Sequence, residues 1–126
     1  MSFENSGPIV QQPSSSDLSF IGGTGIAVGQ LVYVSANGTV SPTTGAQNFV
    51  GIVKSLGVKS ALAGNNLVTV TKGPAKVRVT VQGTVAAGDM VVSYNNGQGI
   101  TNNSATTKYM ICDTGASSGG TAICIL

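Results

Sequence analysis

Histidine and tryptophan are both absent from this chain of 126 residues. Without histidine the chain lacks the usual general base, the usual member of a nucleophile triad and the commonest metal ligand. Charge is also scarce: charged residues make up 8%, against roughly 25% in an average globular domain. Six basic and four acidic residues leave a formal net charge of +2. A nucleic-acid binder normally shows a dense Lys/Arg stripe, often with aromatic platforms. The basic residues here are spread out and aromatics are only 5%, so no nucleic-acid partner is expected. Two cysteines, Cys112 and Cys124, cannot close a zinc site alone. No metal, cofactor or catalytic set is expected, and the chain does not read as an enzyme. No run approaches the ~20 apolar residues of a membrane span. The start, "MSFENSGPIVQQPSSSDLS", has no basic end and no apolar block, so it does not read as a secretory signal. A weakly charged surface is unusual for a free cytosolic monomer. It suits a protein that lives on a large assembly or outside a cell.

What is abundant is small and β-branched. Hydrophobic residues reach 41%, and eighteen glycines punctuate the chain. That is the composition of short strands joined by tight turns. Residues 1–19 are polar, with Pro8 and Pro13 opposing regular structure. They read as an extended arm or as a loose terminus. Phe3, Ile9 and Val10 are apolar points that a neighbour could grip.

Residues 20–126 read as one β domain. Strands are expected at 30–35, 49–55, 67–71, 75–82, 89–94, 108–112 and 121–126. Alternation is cleanest in "KVRVTVQ", where Val77, Val79 and Val81 share one face and Lys76, Arg78 and Thr80 the other. Asn37-Gly38 and Asn96-Gly97 are hairpin signals, because both residue types tolerate positive φ. The segment "SALAGNN" at 60–66 is the only place for a turn of helix. Regular short strands with turn signals predict a small β-barrel or sandwich.

An internal repeat refines this reading. "GTGIAVGQLVYVSANG" (23–38) aligns with "GTVAAGDMVVSYNNG" (83–97). Gly29 meets Gly88, Leu31 meets Met90, Val32 meets Val91, and the two Asn-Gly pairs coincide. A further apolar strand and a closing strand follow each copy. The domain is therefore expected to be two related β modules packed together, each too small to bury its own apolar face. Gly38, Gly88 and Gly97 are the expected structural turn residues.

Several motifs invite chemistry. "ICDTGA" (111–116) reads like an aspartic-protease loop. The dyad needs two carboxylates sharing a proton in a covered cleft, and the stretch after Asp113 leaves no room for a flap. Carried forward, the repeat sets Asp113 opposite Val53, just past a strand, so Asp113 reads as a turn residue. "GGTGIAVG" (22–29) lacks the strand-before and helix-after context of a phosphate loop. Lys72 at the tip of "TKGP" lacks the flanking methionines of a biotinyl carrier and reads as a solvated turn lysine. Lys72, Lys76 and Arg78 form the one basic cluster, either an ordinary solvent face or a docking patch for an acidic surface. Cys112 and Cys124 fall in adjacent strands of the last hairpin. A cross-strand disulfide is possible if the register brings their Cβ atoms together; reduced, half-buried thiols fit assembly in a cytosol.

The segment "VQGTVAAGDMVVSYNNGQGIT" resembles a signature of bacteriophage head decoration proteins, also called capsid cement proteins. In that family an Ala-x-Gly-Asp step enters a strand, a turn glycine follows, and then comes a strand of Val-Gly-Ile-Ala type. Ala86, Ala87, Gly88, Asp89 and Gly97 match the first part, and "FVGIVKS" and "KVRVTVQGTV" the rest. The likeness covers roughly residues 20–126. "YMICD" departs from it, and the N-terminal arm is not a fixed part of the pattern. The resemblance implies a small β-barrel, often a homotrimer, made in the host cytoplasm and placed on the outer surface of the virion. There it would bridge major capsid proteins and strengthen the head. The binding surface would be the arm with one barrel edge: Phe3, Ile9, Val10, Lys72, Lys76 and Arg78. The competing class is a receptor- or glycan-binding module of a phage tail appendage. Such sites use aromatic platforms, for which Tyr33, Tyr94 and Tyr109 are the candidates. In the repeat Tyr33 aligns with Val92 and Tyr94 with Ser35, so the modules share no aromatic site.

Overall fold

The computed structural model describes residues 7–11, 17–59 and 66–126. They form eleven strands: β1 (Ile9–Gln11), β2 (Asp17–Gly22), β3 (Leu31–Ala36), β4 (Thr39–Pro42), β5 (Gly51–Lys59), β6 (Asn66–Thr71), β7 (Lys76–Gln82), β8 (Met90–Ser93), β9 (Gly99–Thr101), β10 (Tyr109–Thr114) and β11 (Thr121–Ile125). There is no helix among the described residues. Phe3 and all of 60–66 but Asn66 lie outside them.

The chain is all-β and builds two small closed barrels of five strands. The first closes in the order β2-β4-β3-β5-β6, and the second runs β7-β11-β10-β8-β9 with β9 returning to β7. Strand β1 is added to β7 from outside the second barrel, Ile9 opposite Val77. Each barrel is one copy of the repeat. In both, the first strand pairs antiparallel with the last and parallel with the third.

Alternation sets what is buried. Val77, Val79 and Val81 are fully buried, whereas Lys76, Arg78 and Thr80 between them reach solvent. Val32, Val40, Val53, Val68 and Val70 fill the first barrel, with Phe20, Ile26 and Val50 packed against them. The second core is larger and is shared. Leu31, Phe49 and Ile52 of the first module join Val77, Val79, Val81, Val91, Met110 and both cysteines in one cluster. Fully burying a side chain of this kind stabilises by ~1.5–3 kcal/mol. A five-valine core is thin, so the shared cluster joins the modules energetically as well as sterically.

Four strands carried too little signal for the sequence reading. β1, β4 and β9 are three or four residues long. β2 begins at Asp17, so the boundary drawn at residue 19 falls inside a barrel strand. The two Asn-Gly turns also differ. Asn96 and Gly97 both have positive φ, at 59° and 68°, as a type I′ turn requires. At the other turn Gly38 has φ of 69°, while Asn37 is not among the positive-φ residues. The register shift between Val34 and Ala36 absorbs the difference as a bulge.

Candidate functional site

The repeat meets its own turn chemistry at residues 27–30 and 86–89. In the second copy Gly88 has φ of 88°, Asp89 N–H donates to Ala86 O at 3.0 Å, and Asp89 Oδ2 accepts from Ala86 N–H at 2.9 Å. Thr101 Oγ1 and Asn103 Nδ2 also donate to that carboxylate, at 3.0 and 3.3 Å. In the first copy Gly29 has φ of 91° and Gln30 Oε1 accepts from Ala27 N–H at 2.8 Å. This explains an Ala-x-Gly-Asp step physically: glycine supplies the left-handed corner, and the acid ties the turn's first amide and the neighbouring loop. These bonds, the Ala86 amide foremost, hold the Asp89 carboxyl below its ordinary value. A lowered folded-state pKa means stability present above the ordinary aspartate value and lost as pH falls through the lowered one. Asp89→Asn should therefore flatten the acid limb of a plot of urea midpoint against pH. An unchanged acid limb would show that the carboxylate's bonds do not act on folding.

Asp113 is not past a strand. It lies inside β10. Gly29 N–H donates to Val53 O at 2.9 Å and Gly88 N–H to Cys112 O at 2.8 Å. Cys112, not Asp113, therefore stands at the Val53 position, and Asp113 matches Lys54. The first-strand counterparts are Asp17 and Lys76. The consequence is an ion pair kept in both modules with its polarity reversed: Lys54 Nζ to Asp17 Oδ2 at 2.7 Å, and Lys76 Nζ to Asp113 Oδ1 at 3.7 Å. The correct register was the signal that would have found this pair in the sequence.

The basic cluster is thus divided among different tasks. Lys76 faces Asp113. Arg78 is turned onto the arm: its Nη1 donates to Gly7 O at 2.8 Å and its amide to Pro8 O at 2.7 Å. Lys72 is exposed at its turn and raises the positive potential at Lys108. Burial first, and Lys72 second, push the Lys108 ammonium below its ordinary pKa. Of the arm's apolar points, Ile9 packs on the second barrel's core and Val10 is 37% exposed. Cys112 and Cys124 stand directly opposite each other, both buried and both free thiols. Burial pushes the Cys124 thiol up to about 12.

The junction between the barrels is concave. A groove of about 300 Å³ is lined by Pro8, Gln30, Arg78, Thr80, Asn96 and Gln98, among others. Across Asn96 lies a second groove of about 260 Å³, bordered by Tyr33, Pro42 and Thr43. The ridge between them is the β8–β9 hairpin, held to the first module by backbone. Leu31 N–H donates to Gly97 O at 2.9 Å, Gly97 N–H to Thr43 O at 3.2 Å, and Thr43 Oγ1 to Tyr94 O at 2.7 Å. Ser93 Oγ donates to Gly45 O at 2.8 Å and accepts from Gln47 N–H at 2.9 Å. Among the described residues no group of three or more His, Cys, Asp or Glu converges as a metal site would need. No protein-family model matches the chain, and comparison with curated proteins finds no match.

Proposed function

We propose that this is a structural decoration, or cement, protein of a bacteriophage head, an oligomer that binds the outer capsid surface and stabilises contacts between major capsid proteins. The observation that carries it is the surface. With 8% charged residues, the molecule leaves Leu18, Val34, Leu56, Leu67 and Tyr109 more than 40% exposed. Apolar side chains on a surface with so little charge favour burial against a large partner over life as a free monomer. The decoration-like segment supports the same reading, since Ala86–Asp89 and Gly97 each have a defined task in the repeated module. No residue is assigned a catalytic role on this reading. The tail-appendage alternative draws on the polar junction groove, where Arg78, Asn96, Gln30 and Gln98 could meet sugar hydroxyls.

Co-sedimentation with undecorated capsids of the source phage separates the two. The full chain should bind at saturating concentration and moderate salt, and decorated capsids should burst at higher temperature than bare ones. A truncation lacking residues 1–6, which stops short of β1, should retain the β circular dichroism and show lower occupancy. Failure of the full chain to bind would remove the cement reading and promote the glycan-binding one.

A further inference from the structure

The two modules of this chain meet through unlike faces. The first module contributes a row across three adjacent strands: Leu31 opposite Ile52, and Ile52 opposite Thr71. All three are fully buried. Leu31 and Ile52 enter the second barrel's core cluster. The second module contributes the β8–β9 hairpin, whose Ser93 and Gly97 are buried at the junction, and the core beneath it.

Because the chain is a repeat, it carries each of these faces once more. The counterpart of the row is Met90, Ile111 and Ile125, which are again direct cross-strand neighbours on β8, β10 and β11. Here Ile111 is 38% and Ile125 44% exposed. The counterpart of the hairpin is Val34–Gly38. Val34 is 49% exposed, and the space a Gly38 side chain would occupy is open. The core beneath is less covered too. Leu18 is 43% exposed, where its counterpart Val77 is fully buried under the junction and the arm.

At two positions the unused faces are more apolar than the used ones. Isoleucine at 125 stands where the first module has Thr71, and valine at 34 where the second has Ser93, while Ile111 keeps the isoleucine of Ile52. The row therefore stays apolar although it is uncovered in the single chain. One backbone site has been closed off. Met90 N–H donates to Asn103 Oδ1 at 2.7 Å, where Leu31 N–H reaches across the junction to Gly97 O. The hairpin's side of that bond is taken as well, since Gly38 O accepts from Ile21 N–H at 2.8 Å, so the copy of this one backbone bond is not available between molecules.

We infer that the hairpin Val34–Gly38 of one copy docks on the Met90–Ile111–Ile125 face of a second copy, repeating between molecules the packing that joins the modules within one. Such a contact is heterologous: it uses two different patches, and it closes into a ring or propagates, depending on the rotation per step. The inference deepens the oligomeric part of the proposed reading and rests on it there; its readout involves no capsid, so its failure is distinguishable from a failure to bind the shell.

The test uses Ile111→Glu and Val34→Glu, both at exposed positions, with circular dichroism and thermal midpoint as folding controls. By sedimentation velocity the wild-type chain should run above monomer mass, and each variant alone should run as monomer. Each variant keeps one good patch, so an equal mixture should form dimers that grow no further. A monomeric wild type at the highest soluble concentration would overturn the inference. Persistence of the oligomer in either variant, or a mixture that stays monomeric, would overturn it as well.

Discussion

Phe49→Ala should lower the unfolding free energy by about 3–5 kcal/mol, the range for deleting a buried aromatic ring, and it should do so in a single transition. Phe49 is 1% exposed and heads the fully buried side chains by size. It sits in the cluster that Leu31 and Ile52 share with the second barrel, so the cavity would open where the two modules meet. Lys108 Nζ lies 5.2 Å from the ring centroid, so its cation–π contact would be lost as well. Urea unfolding followed by far-UV circular dichroism measures the loss. Val10→Ala, at a residue 37% exposed on the arm, is the control and should stay within about 0.5 kcal/mol of wild type. A cost for Phe49→Ala below about 1 kcal/mol would mean that the cluster does not join the modules. Two separate transitions in the wild type would mean that each barrel folds alone.

What was legible in the residues is what leaves a local pattern in them. Period-2 alternation marked β7 because one face of "KVRVTVQ" is wholly buried and the other is polar. The repeat announced two modules because Gly29 and Gly88 need the same backbone conformation at the same place. β2 was hidden because "DLSFIG" does not alternate in burial: Leu18 lies uncovered while Phe20 and Ile21 are half-buried. β9 was hidden because three residues bounded by a turn carry no periodicity. The arm's seat on β7 was not readable, since it rests on the carbonyls of Gly7 and Pro8, and any residue has a carbonyl. The reversed ion pair was readable in principle. A one-residue error in register moved Asp113 from the outward position of Lys54 to the inward one of Val53, as a period of two dictates.

The register also separates two glycines that look interchangeable, and Gly97→Ala should cost about 3 kcal/mol where Gly38→Ala costs about 1. Both end an Asn-Gly turn, with φ of 68° and 69°. Each substitution therefore pays the same backbone penalty of roughly 1 kcal/mol for placing a Cβ in the left-handed region. The rest is steric. A Cβ on Gly97 would stand 2.5 Å from Gln30 Cβ and 2.8 Å from Leu31 O, whereas one on Gly38 meets nothing within 4 Å. Relief at Gly97 requires the hairpin to lift off β3, which strains the Leu31–Gly97 and Gly97–Thr43 backbone bonds. Overpacking of this kind adds about 1–3 kcal/mol. Parallel urea titrations of the two variants check the difference. Equal losses at both sites would mean that the β8–β9 hairpin is not wedged against the first module, and the junction described above would be wrong. A larger loss at Gly97, with the unfolding slope unchanged, would locate the difference at the joint between the barrels.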